Sequence, residues 1–173
     1  MISKIKSSGT ARRLTALATA SLAIAGGSLV MAPSASAASW SGSLWNYQTG
    51  LCLDGNGNAG PGSEVIQWEC NGGSNQNWYA GWDAKGRPRI VNATNNLCLD
   101  RHDDTRMGAQ LILWHCNDKW NQVFSFGGGT NAIVNTPLNQ VVDVPGGTGT
   151  WGARPIMWEP NGGDNQYWVQ HMW

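Results

Sequence analysis

The sequence predicts an all-β domain that is built from three repeats. Self-similarity at a fixed period indicates repeated supersecondary units that bury one shared core. Short apolar segments lie between Gly- and Asn-rich turns, and no long segment has apolar residues at helical spacing, which is typical of many short strands. The repeats span about residues 42–80, 88–126 and 131–170, with an offset of 46 residues between the first two and 43 to 44 between the last two. Each repeat carries an aspartate, a tryptophan and an Asn-Gln pair: Asp54, Trp68, Asn75 and Gln76; Asp100, Trp114, Asn121 and Gln122; Asp143, Trp158, Asn165 and Gln166.

The first 37 residues have the pattern of a secretory signal peptide. Four basic residues precede a mostly apolar, uncharged segment from Leu14 to Met31, and Ala35-Ser36-Ala37 matches an A-x-A cleavage site. A membrane anchor is the alternative, but Gly26-Gly27 and the small residues at the end of the segment favour cleavage. We therefore expect a secreted, extracellular protein in which residues 38–173 form one free-standing, monomeric domain.

Removal of this segment changes the charge balance of the chain. The full chain has 11 Lys or Arg and 11 Asp or Glu. The segment contains four of the basic residues and none of the acidic ones, so 7 basic residues remain against 11 acidic ones, a net charge of about −4. Nucleic acids and anionic lipids attract basic surfaces. The composition therefore argues against a nucleic-acid partner and against membrane insertion.

The four cysteines occupy equivalent places in the first two repeats. Cys52 and Cys70 are 18 residues apart, and so are Cys98 and Cys116. The third repeat lacks both partners together, as a bonded pair requires, and has Val141 and Pro160 in their places. We therefore predict the disulfides Cys52–Cys70 and Cys98–Cys116, which suit an oxidising compartment. A zinc site is the alternative, but there is no C-x-x-C spacing and the three histidines are scattered.

One set of repeated aromatic residues is predicted to fill the core. Trp78, Phe124 and Trp168 each lie two residues after the repeated glutamine. Because Phe replaces Trp in the second repeat, shape and apolarity matter more at this position than an indole N–H. Further core layers are expected at the aligned first-strand positions, which are Leu44, Ile90 and Ile133.

A second aromatic set is predicted to form ligand platforms. Trp68, Trp114 and Trp158 are tryptophan in all three repeats, and each is followed by a polar residue, which indicates a position near the surface. An exposed indole face offers apolar area to the C–H face of a sugar ring. Core packing is the alternative for these three residues, as it is for most single aromatic residues.

The repeated polar residues suit a polyhydroxylated ligand. Asp54, Asp100 and Asp143 either cap turns or accept hydrogen bonds from adjacent sugar hydroxyls. The amides of the Asn-Gln pairs both donate and accept, so they either complete the polar edge of the site or hold the aspartate in place. No single position is diagnostic, but three coordinated copies indicate carbohydrate binding.

At these residues the chain resembles the ricin-type lectins and the trefoil carbohydrate-binding modules attached to bacterial glycoside hydrolases. The matching segments are Cys52-Leu53-Asp54, Cys98-Leu99-Asp100, Trp68-Glu69-Cys70 and Trp114-His115-Cys116, with the Q-x-W motif as Gln76-Asn77-Trp78, Gln122-Val123-Phe124 and Gln166-Tyr167-Trp168. The resemblance implies a β-trefoil of twelve strands, four per repeat, around a pseudo-threefold axis. It also implies one shallow pocket per lobe, in which the aspartate and the amides bond sugar hydroxyls while the aromatic residue stacks on the ring.

The chain departs from this family at one repeated position. Many family members have a sugar-contacting glutamine two residues before the platform aromatic, whereas this chain has Ile66, Ile112 and Ile156. An apolar side chain removes a polar contact, so the galactose preference of the family does not carry over directly.

The expected function is a multivalent, non-catalytic lectin without cofactor or metal, whose partners are glycans or polysaccharides. A glycosidase is less favoured, because it needs two carboxyl groups about 5–10 Å apart across one bond, whereas the repeated aspartates belong to separate lobes. The unrepeated Asp103, Asp104 and Glu64 have the pattern of solvated loop residues. The other hypothesis is a trefoil that acts through protein contacts, as a protease inhibitor does, with the loop from Gly146 to Gly152 around Trp151 as its surface.

Overall fold

The computed structural model describes residues 40–57, 60–127, 129 and 131–171. The predicted signal peptide lies outside the described residues. Within them, twelve strands form three lobes of four strands each, as predicted for a β-trefoil.

The strands are short and evenly distributed along the chain. The first lobe contains β1 (Ser41–Asn46), β2 (Cys52–Asp54), β3 (Ile66–Trp68) and β4 (Trp78–Trp82). The second contains β5 (Pro88–Asn92), β6 (Cys98–Asp100), β7 (Ile112–Trp114) and β8 (Phe124–Phe126). The third contains β9 (Ile133–Asn135), β10 (Gln140–Asp143), β11 (Ile156–Trp158) and β12 (Trp168–His171).

Short 3₁₀ turns precede the last strand of each lobe. They are Ser74–Gln76, Trp120–Gln122 and Asp164–Gln166, and a further turn at Pro145–Gly147 follows β10. None of the helices in the described part of the chain has the length and apolar character that crossing a membrane requires.

Antiparallel pairing joins the lobes to each other. β4 pairs with β5 and β8 pairs with β9, so each lobe continues into the next. β1 pairs with β12, which brings the first and last strands together. The three lobes therefore form a closed arrangement in which every lobe has two neighbours.

The middle hairpin of each lobe has the same register. In the first lobe Asp54 pairs with Ile66 and Cys52 pairs with Trp68. Directly opposite residues of an antiparallel pair share a face of the sheet, so the aspartate, the isoleucine and the tryptophan lie together on one face. The corresponding pairs of the other lobes are Asp100 with Ile112, Cys98 with Trp114, Asp143 with Ile156 and Val141 with Trp158.

The predicted core is confirmed. Trp78, Phe124 and Trp168 are fully buried in one hydrophobic cluster. The two indole N–H groups donate to backbone carbonyls, Trp78 to Leu53 at 2.9 Å and Trp168 to Val142 at 3.0 Å. Phe124 occupies the equivalent place in the cluster without this hydrogen bond. The same cluster includes the predicted first-strand residues Leu44, Ile90 and Ile133.

The predicted disulfides are also confirmed. The bonds are Cys52–Cys70 and Cys98–Cys116. In each, a β-strand residue of the middle hairpin is joined to the segment that follows the platform tryptophan. The third hairpin has the same register without this crosslink, so the register is set by the strands themselves.

Removing the first disulfide should lower the free energy of unfolding by about 3 kcal/mol, because the bridge restricts the unfolded chain. The test is urea unfolding of the Cys52→Ala/Cys70→Ala variant, followed by tryptophan fluorescence. The Cys98→Ala/Cys116→Ala variant is the matched control. Both bridges have a sequence separation of 18, so the two losses should agree within about 1 kcal/mol. A double variant as stable as the wild type would contradict this account.

Candidate functional site

The repeated aspartate of the first lobe is buried and hydrogen-bonded. The Asn75 side-chain amide donates to both carboxylate oxygens of Asp54 at 2.8 Å, and Gln76 Nε2 donates to Oδ2 at 2.9 Å. The backbone N–H of Asn56 donates to Oδ1 at 2.6 Å. A buried charge is stable only when it is hydrogen-bonded or paired, and these three donors meet that requirement. A carboxylate has about four lone-pair sites, and these four hydrogen bonds occupy about all of them.

The other two lobes repeat this arrangement. In the second lobe the side-chain amides of Asn121 and Gln122 each donate to Asp100 at 2.8 Å. In the third lobe the amides of Asn165 and Gln166 donate to Asp143 at 2.9 Å and 2.8 Å. The polar residues that the sequence singled out therefore lie together in every lobe. The sites are three separate copies and do not merge into one.

The glutamines are buried and use both of their side-chain N–H groups within the protein. Besides its bond to Asp54, Gln76 Nε2 donates to the carbonyl of Glu69 at 2.7 Å, and its Oε1 accepts from the backbone N–H of Asn71 at 2.9 Å. Gln76 is also almost completely buried. Gln122 and Gln166 make the equivalent bonds. Of the two roles predicted for the amide pairs, this geometry assigns the glutamines to holding the aspartate.

The asparagines differ between lobes because of one neighbouring position. A Cβ on Gly73 would lie 2.5 Å from Asn75 Oδ1, and a Cβ on Gly163 would lie 2.5 Å from Asn165 Oδ1. The second lobe has Lys119 there, and its Asn121 is buried with an Oδ1 that has no hydrogen-bond partner in the described structure. Glycine therefore permits the half-open asparagine of the first and third lobes.

The third lobe differs at the residue two positions after the aspartate. Asn56 and His102 donate backbone N–H groups to Asp54 and Asp100. Pro145 occupies the equivalent place and has no N–H to donate. Both amide donors of that lobe reach Oδ2 of Asp143, and its Oδ1 accepts no hydrogen bond from the described residues. Asp143 therefore keeps the largest accepting capacity of the three.

The predicted platform tryptophans are exposed. The exposed fractions are 37% for Trp68, 43% for Trp114 and 37% for Trp158. Each lies on the same face of the hairpin as its aspartate, at the next position along that face from the isoleucine that is directly opposite the aspartate. The core alternative for these residues is therefore wrong, because the hairpin register turns their side chains to the outside of the shared core.

Shallow pockets join these residues in the first two lobes. The pocket of the first lobe measures about 210 Å³ and is lined by Asp54, Asn56, Gly57, Ile66, Trp68, Asn71 and Asn75. That of the second measures about 240 Å³ and is lined by Asp100, His102, Asp103, Ile112, Trp114, Asn117, Lys119 and Asn121. The isoleucines thus form part of the wall in both pockets. The second pocket has the more strongly charged rim.

A loop from a neighbouring lobe borders each site. In each lobe a glycine of this loop donates its backbone N–H to a backbone carbonyl of the hairpin at 2.7–2.8 Å. The three bonds are Gly152 to Gln67 in the first lobe, Gly62 to Leu113 in the second and Gly108 to Met157 in the third. Each acceptor immediately precedes the platform tryptophan. The residues that precede these glycines are Trp151, Pro61 and Met107, so the three sites have different borders.

Two further sets of asparagines, which the sequence interpretation missed, support the sites. Asn46, Asn92 and Asn135 are fully buried, and each donates to backbone carbonyls at the 3₁₀ turn of the preceding lobe: for example, Asn92 donates to Asn75 at 2.8 Å. Asn71, Asn117 and Asn161 accept backbone N–H groups within the loop before that turn. Both sets recur at offsets of 43 to 46 residues, which was the signal that could have identified them.

Two of the three unrepeated acids, Asp104 and Glu64, form ion pairs outside the three carboxylate sites. Glu64 Oε1 lies 2.9 Å from Arg154 Nη2, and Asp104 Oδ2 lies 2.8 Å from Arg106 Nη2. Hydrogen bonds from Arg106 lower the pKa of Asp104 to about 2, so this carboxylate is ionised at neutral pH. No group of three or more His, Cys, Asp or Glu suited to a metal ion occurs among the described residues.

Comparison with known proteins identifies a family and several solved structures to which this chain is similar. The family model described as "Ricin-type beta-trefoil lectin domain" matches residues 40–168. Comparison with curated proteins gives no match.

Three solved structures illustrate the structural similarity. The designed threefold-symmetric protein ThreeFoil is 27% identical, with a TM-score of 0.67 and coverage of 74% of this chain and 95% of that one. The Rhizoctonia solani agglutinin is 20% identical, with a TM-score of 0.68 and coverage of 78% and 96%. The C-half of the earthworm R-type lectin, solved in complex with GalNAc, is 22% identical, with a TM-score of 0.64 and coverage of 76% and 98%. These similarities confirm the β-trefoil fold.

The Gln76→Leu substitution should lower the free energy of unfolding by about 2–4 kcal/mol, because buried polar groups lose their partners. Urea unfolding measures the loss. The Gln170→Leu variant is the matched control, since Gln170 is half-exposed and makes one 3.3 Å bond to Ser41. That change should cost no more than about 0.5 kcal/mol. Equal losses in the two variants would show that Gln76 does not support the buried carboxylate.

Proposed function

Because the chain belongs to the family of ricin-type β-trefoil lectin domains, we propose that it is a secreted, non-catalytic lectin with up to three shallow sugar sites. One observation carries the proposal. In each lobe an exposed tryptophan lies beside a buried aspartate whose charge is already satisfied by amide donors. This combination places an apolar face and a polar edge next to each other, which is the surface that a pyranose ring requires.

The tryptophan supplies the apolar contact. The C–H face of a sugar packs on the exposed indole, which is worth about 0.5–1.5 kcal/mol beyond area burial, by analogy with aromatic pairs. Because the hairpin already holds the indole in place, little side-chain entropy is lost on binding. Ligands that have no apolar face cannot make this contact, so the site should bind them more weakly than sugars.

The polar edge supplies orientation. In the first lobe Asn75 Oδ1 and Asn71 Nδ2 make no hydrogen bond within the described residues, and they lie beside the Asp54 carboxylate in the pocket. Sugar hydroxyls both donate and accept, so they pair with both of these amide groups. The glutamine behind the aspartate acts as a positioning residue and does not touch the sugar.

The lobes differ in the ligands that they favour. The third lobe offers the least occupied carboxylate, Asp143, and the second carries Lys119, His102 and Asp103 around its pocket. Acidic or amide-bearing sugars suit the cationic side of that rim better than neutral ones do. GalNAc, which the earthworm lectin structure contains, is one of the first ligands to test, although the repeated isoleucines reduce the polar contacts of all three sites.

Multivalency compensates for weak individual sites. Shallow pockets of this kind correspond to sub-millimolar to millimolar dissociation constants, about −4 to −5.5 kcal/mol. When two or three lobes bind one branched glycan or polysaccharide, avidity rises by about 10² to 10⁴. Polysaccharides and densely glycosylated surfaces are therefore the proposed partners.

Removing the platform tryptophans should abolish glycan binding. We expect each of Trp68→Ala, Trp114→Ala and Trp158→Ala to weaken its own site about tenfold, which corresponds to about 1.4 kcal/mol, and the triple variant to bind neither a glycan array nor immobilised polysaccharides. Tryptophan variants are preferable to aspartate variants, because truncating a buried, hydrogen-bonded aspartate also destabilises the fold.

Trp82→Ala is the matched control for these variants. Trp82 is exposed to the same degree as Trp68, 38% against 37%, but it lies on β4 opposite Pro88 and lines neither of the pockets of the repeated aspartates. This variant should bind like the wild type. Unchanged binding in the triple variant, or release of reducing sugar by the wild type, would refute the non-catalytic lectin function.

A further inference from the structure

We propose that the first lobe binds two consecutive sugar rings of one glycan chain, the first on Trp68 and the second on Trp151. Trp151 belongs to the third lobe, so this extended site is shared between two lobes. The proposal rests on the sugar site described above and adds a second subsite to it.

The two indoles form one continuous apolar surface. Their ring centroids are 5.4 Å apart and their planes are inclined by 48°. Trp151 is 52% exposed and Trp68 is 37% exposed, so both keep accessible faces although they contact each other. An inclined pair suits a chain whose successive rings are rotated about the glycosidic bond, because each ring then packs on its own indole.

The loop that carries Trp151 is held firmly against the first lobe. Gln67 is fully buried, and its Nε2 donates to the carbonyls of Thr148 at 2.5 Å and Thr150 at 3.2 Å. Backbone hydrogen bonds of 2.8 Å join Gln67 to Gly152 and Ala153. Trp151 is therefore positioned before any ligand arrives, and binding does not require ordering of this loop.

Glycine at position 152 allows the close approach of this loop. Gly152 has a φ of +79°, which other residues adopt with strain. A Cβ at this position would lie 3.6 Å from Cζ3 of Trp68. The backbone thus passes directly beside the first platform, which brings the side chain of Trp151 next to it.

The extended surface distinguishes the first lobe from the other two. Pro61 and Met107 take the place of Trp151 beside Trp114 and Trp158, and neither offers an aromatic ring. Leu113 and Met157 take the place of Gln67, so neither can donate the side-chain hydrogen bonds that hold the loop. The second and third lobes are consequently expected to contact a single ring.

This geometry favours a glycan over a protein as the occupant of the loop surface. The sequence alone made the loop from Gly146 to Gly152 a candidate for protein contacts. In the structure Trp151 continues the apolar face of Trp68, which lies beside the Asp54 carboxylate. When the first pyranose ring of a glycan chain packs on Trp68, the next ring of the same chain is placed at Trp151.

The experiment compares single sugars with chains. Isothermal titration and chemical-shift mapping would use glucose, galactose, xylose, GalNAc and GlcNAc, and linear tetrasaccharides of glucose, galactose, xylose and GlcNAc. The proteins are the wild type, Trp151→Ala, Trp68→Ala and Met107→Ala, the last of which changes the equivalent position at the third site. In Trp151→Ala we expect the affinity of the first lobe for the best tetrasaccharide to fall about five- to tenfold while its affinity for the single sugar stays unchanged.

The controls separate the subsite from a structural effect. Trp68→Ala should weaken single sugars and chains alike, and Met107→Ala should not alter the chain-to-monomer ratio at the first lobe. Gln67→Leu should lower the chain-to-monomer ratio, because leucine cannot donate the side-chain hydrogen bonds that hold the loop. The second lobe already has leucine at the equivalent position, Leu113, so the hairpin accommodates this residue type.

Two results would overturn the proposal. One is an unchanged chain-to-monomer ratio in Trp151→Ala, and the other is an equal loss for single sugars and chains, which would mean that Trp151 only supports Trp68. Binding at the second and third lobes would persist in either case. Absence of sugar binding at all three lobes of the wild type would instead refute the lectin function itself.

Discussion

The three sites depend on one constraint, which is that the buried aspartate of each lobe must be hydrogen-bonded. A carboxylate removed from water is costly unless donors surround it, and here the asparagine and the glutamine within the 3₁₀ turn provide them. To reach the carboxylate, the turn has to lie against the hairpin, and the glutamine in turn holds the loop that begins at Asn71, Asn117 or Asn161. The interaction that stabilises the charge therefore also positions the polar edge of the site beside the exposed tryptophan.

The sites are products of the whole trefoil rather than of single lobes. The buried asparagines Asn46, Asn92 and Asn135 hydrogen-bond the turn of the preceding lobe, and the loop of one lobe continues the hairpin of the next through backbone hydrogen bonds. Each lobe thus supports one neighbour's site and borders another's. This mutual support is the physical reason why a repeat of about 45 residues buries a core only when three copies close on one another.

Against this common frame, a few substitutions make the lobes different. Pro145 removes a backbone donor from Asp143, Lys119 replaces the glycine that permits a half-open asparagine, and Gln67 holds the loop of Trp151. None of these changes touches the core or the glutamine network. The surroundings of the three aspartates can therefore differ between lobes while the fold remains the same.

The sequence by itself determined the three repeats, the all-β class, the core aromatics, the disulfide pairs and the residues that meet at each site. These features repeat, and a repeated residue is visible as an offset in the sequence. The sequence also limited the role of the Asn-Gln pairs to two alternatives, which are to form the polar edge of the site or to hold the aspartate. Only burial and hydrogen bonds decide between these two roles. Only the tertiary structure showed that both amide N–H groups of Gln76 are used inside the protein, that Asn121 is buried and that Trp151 lies against Trp68. The environment of Asn121 and the contact of Trp151 depend on unrepeated side chains, and the bonds of Gln76 depend on burial and distance, which no periodicity records.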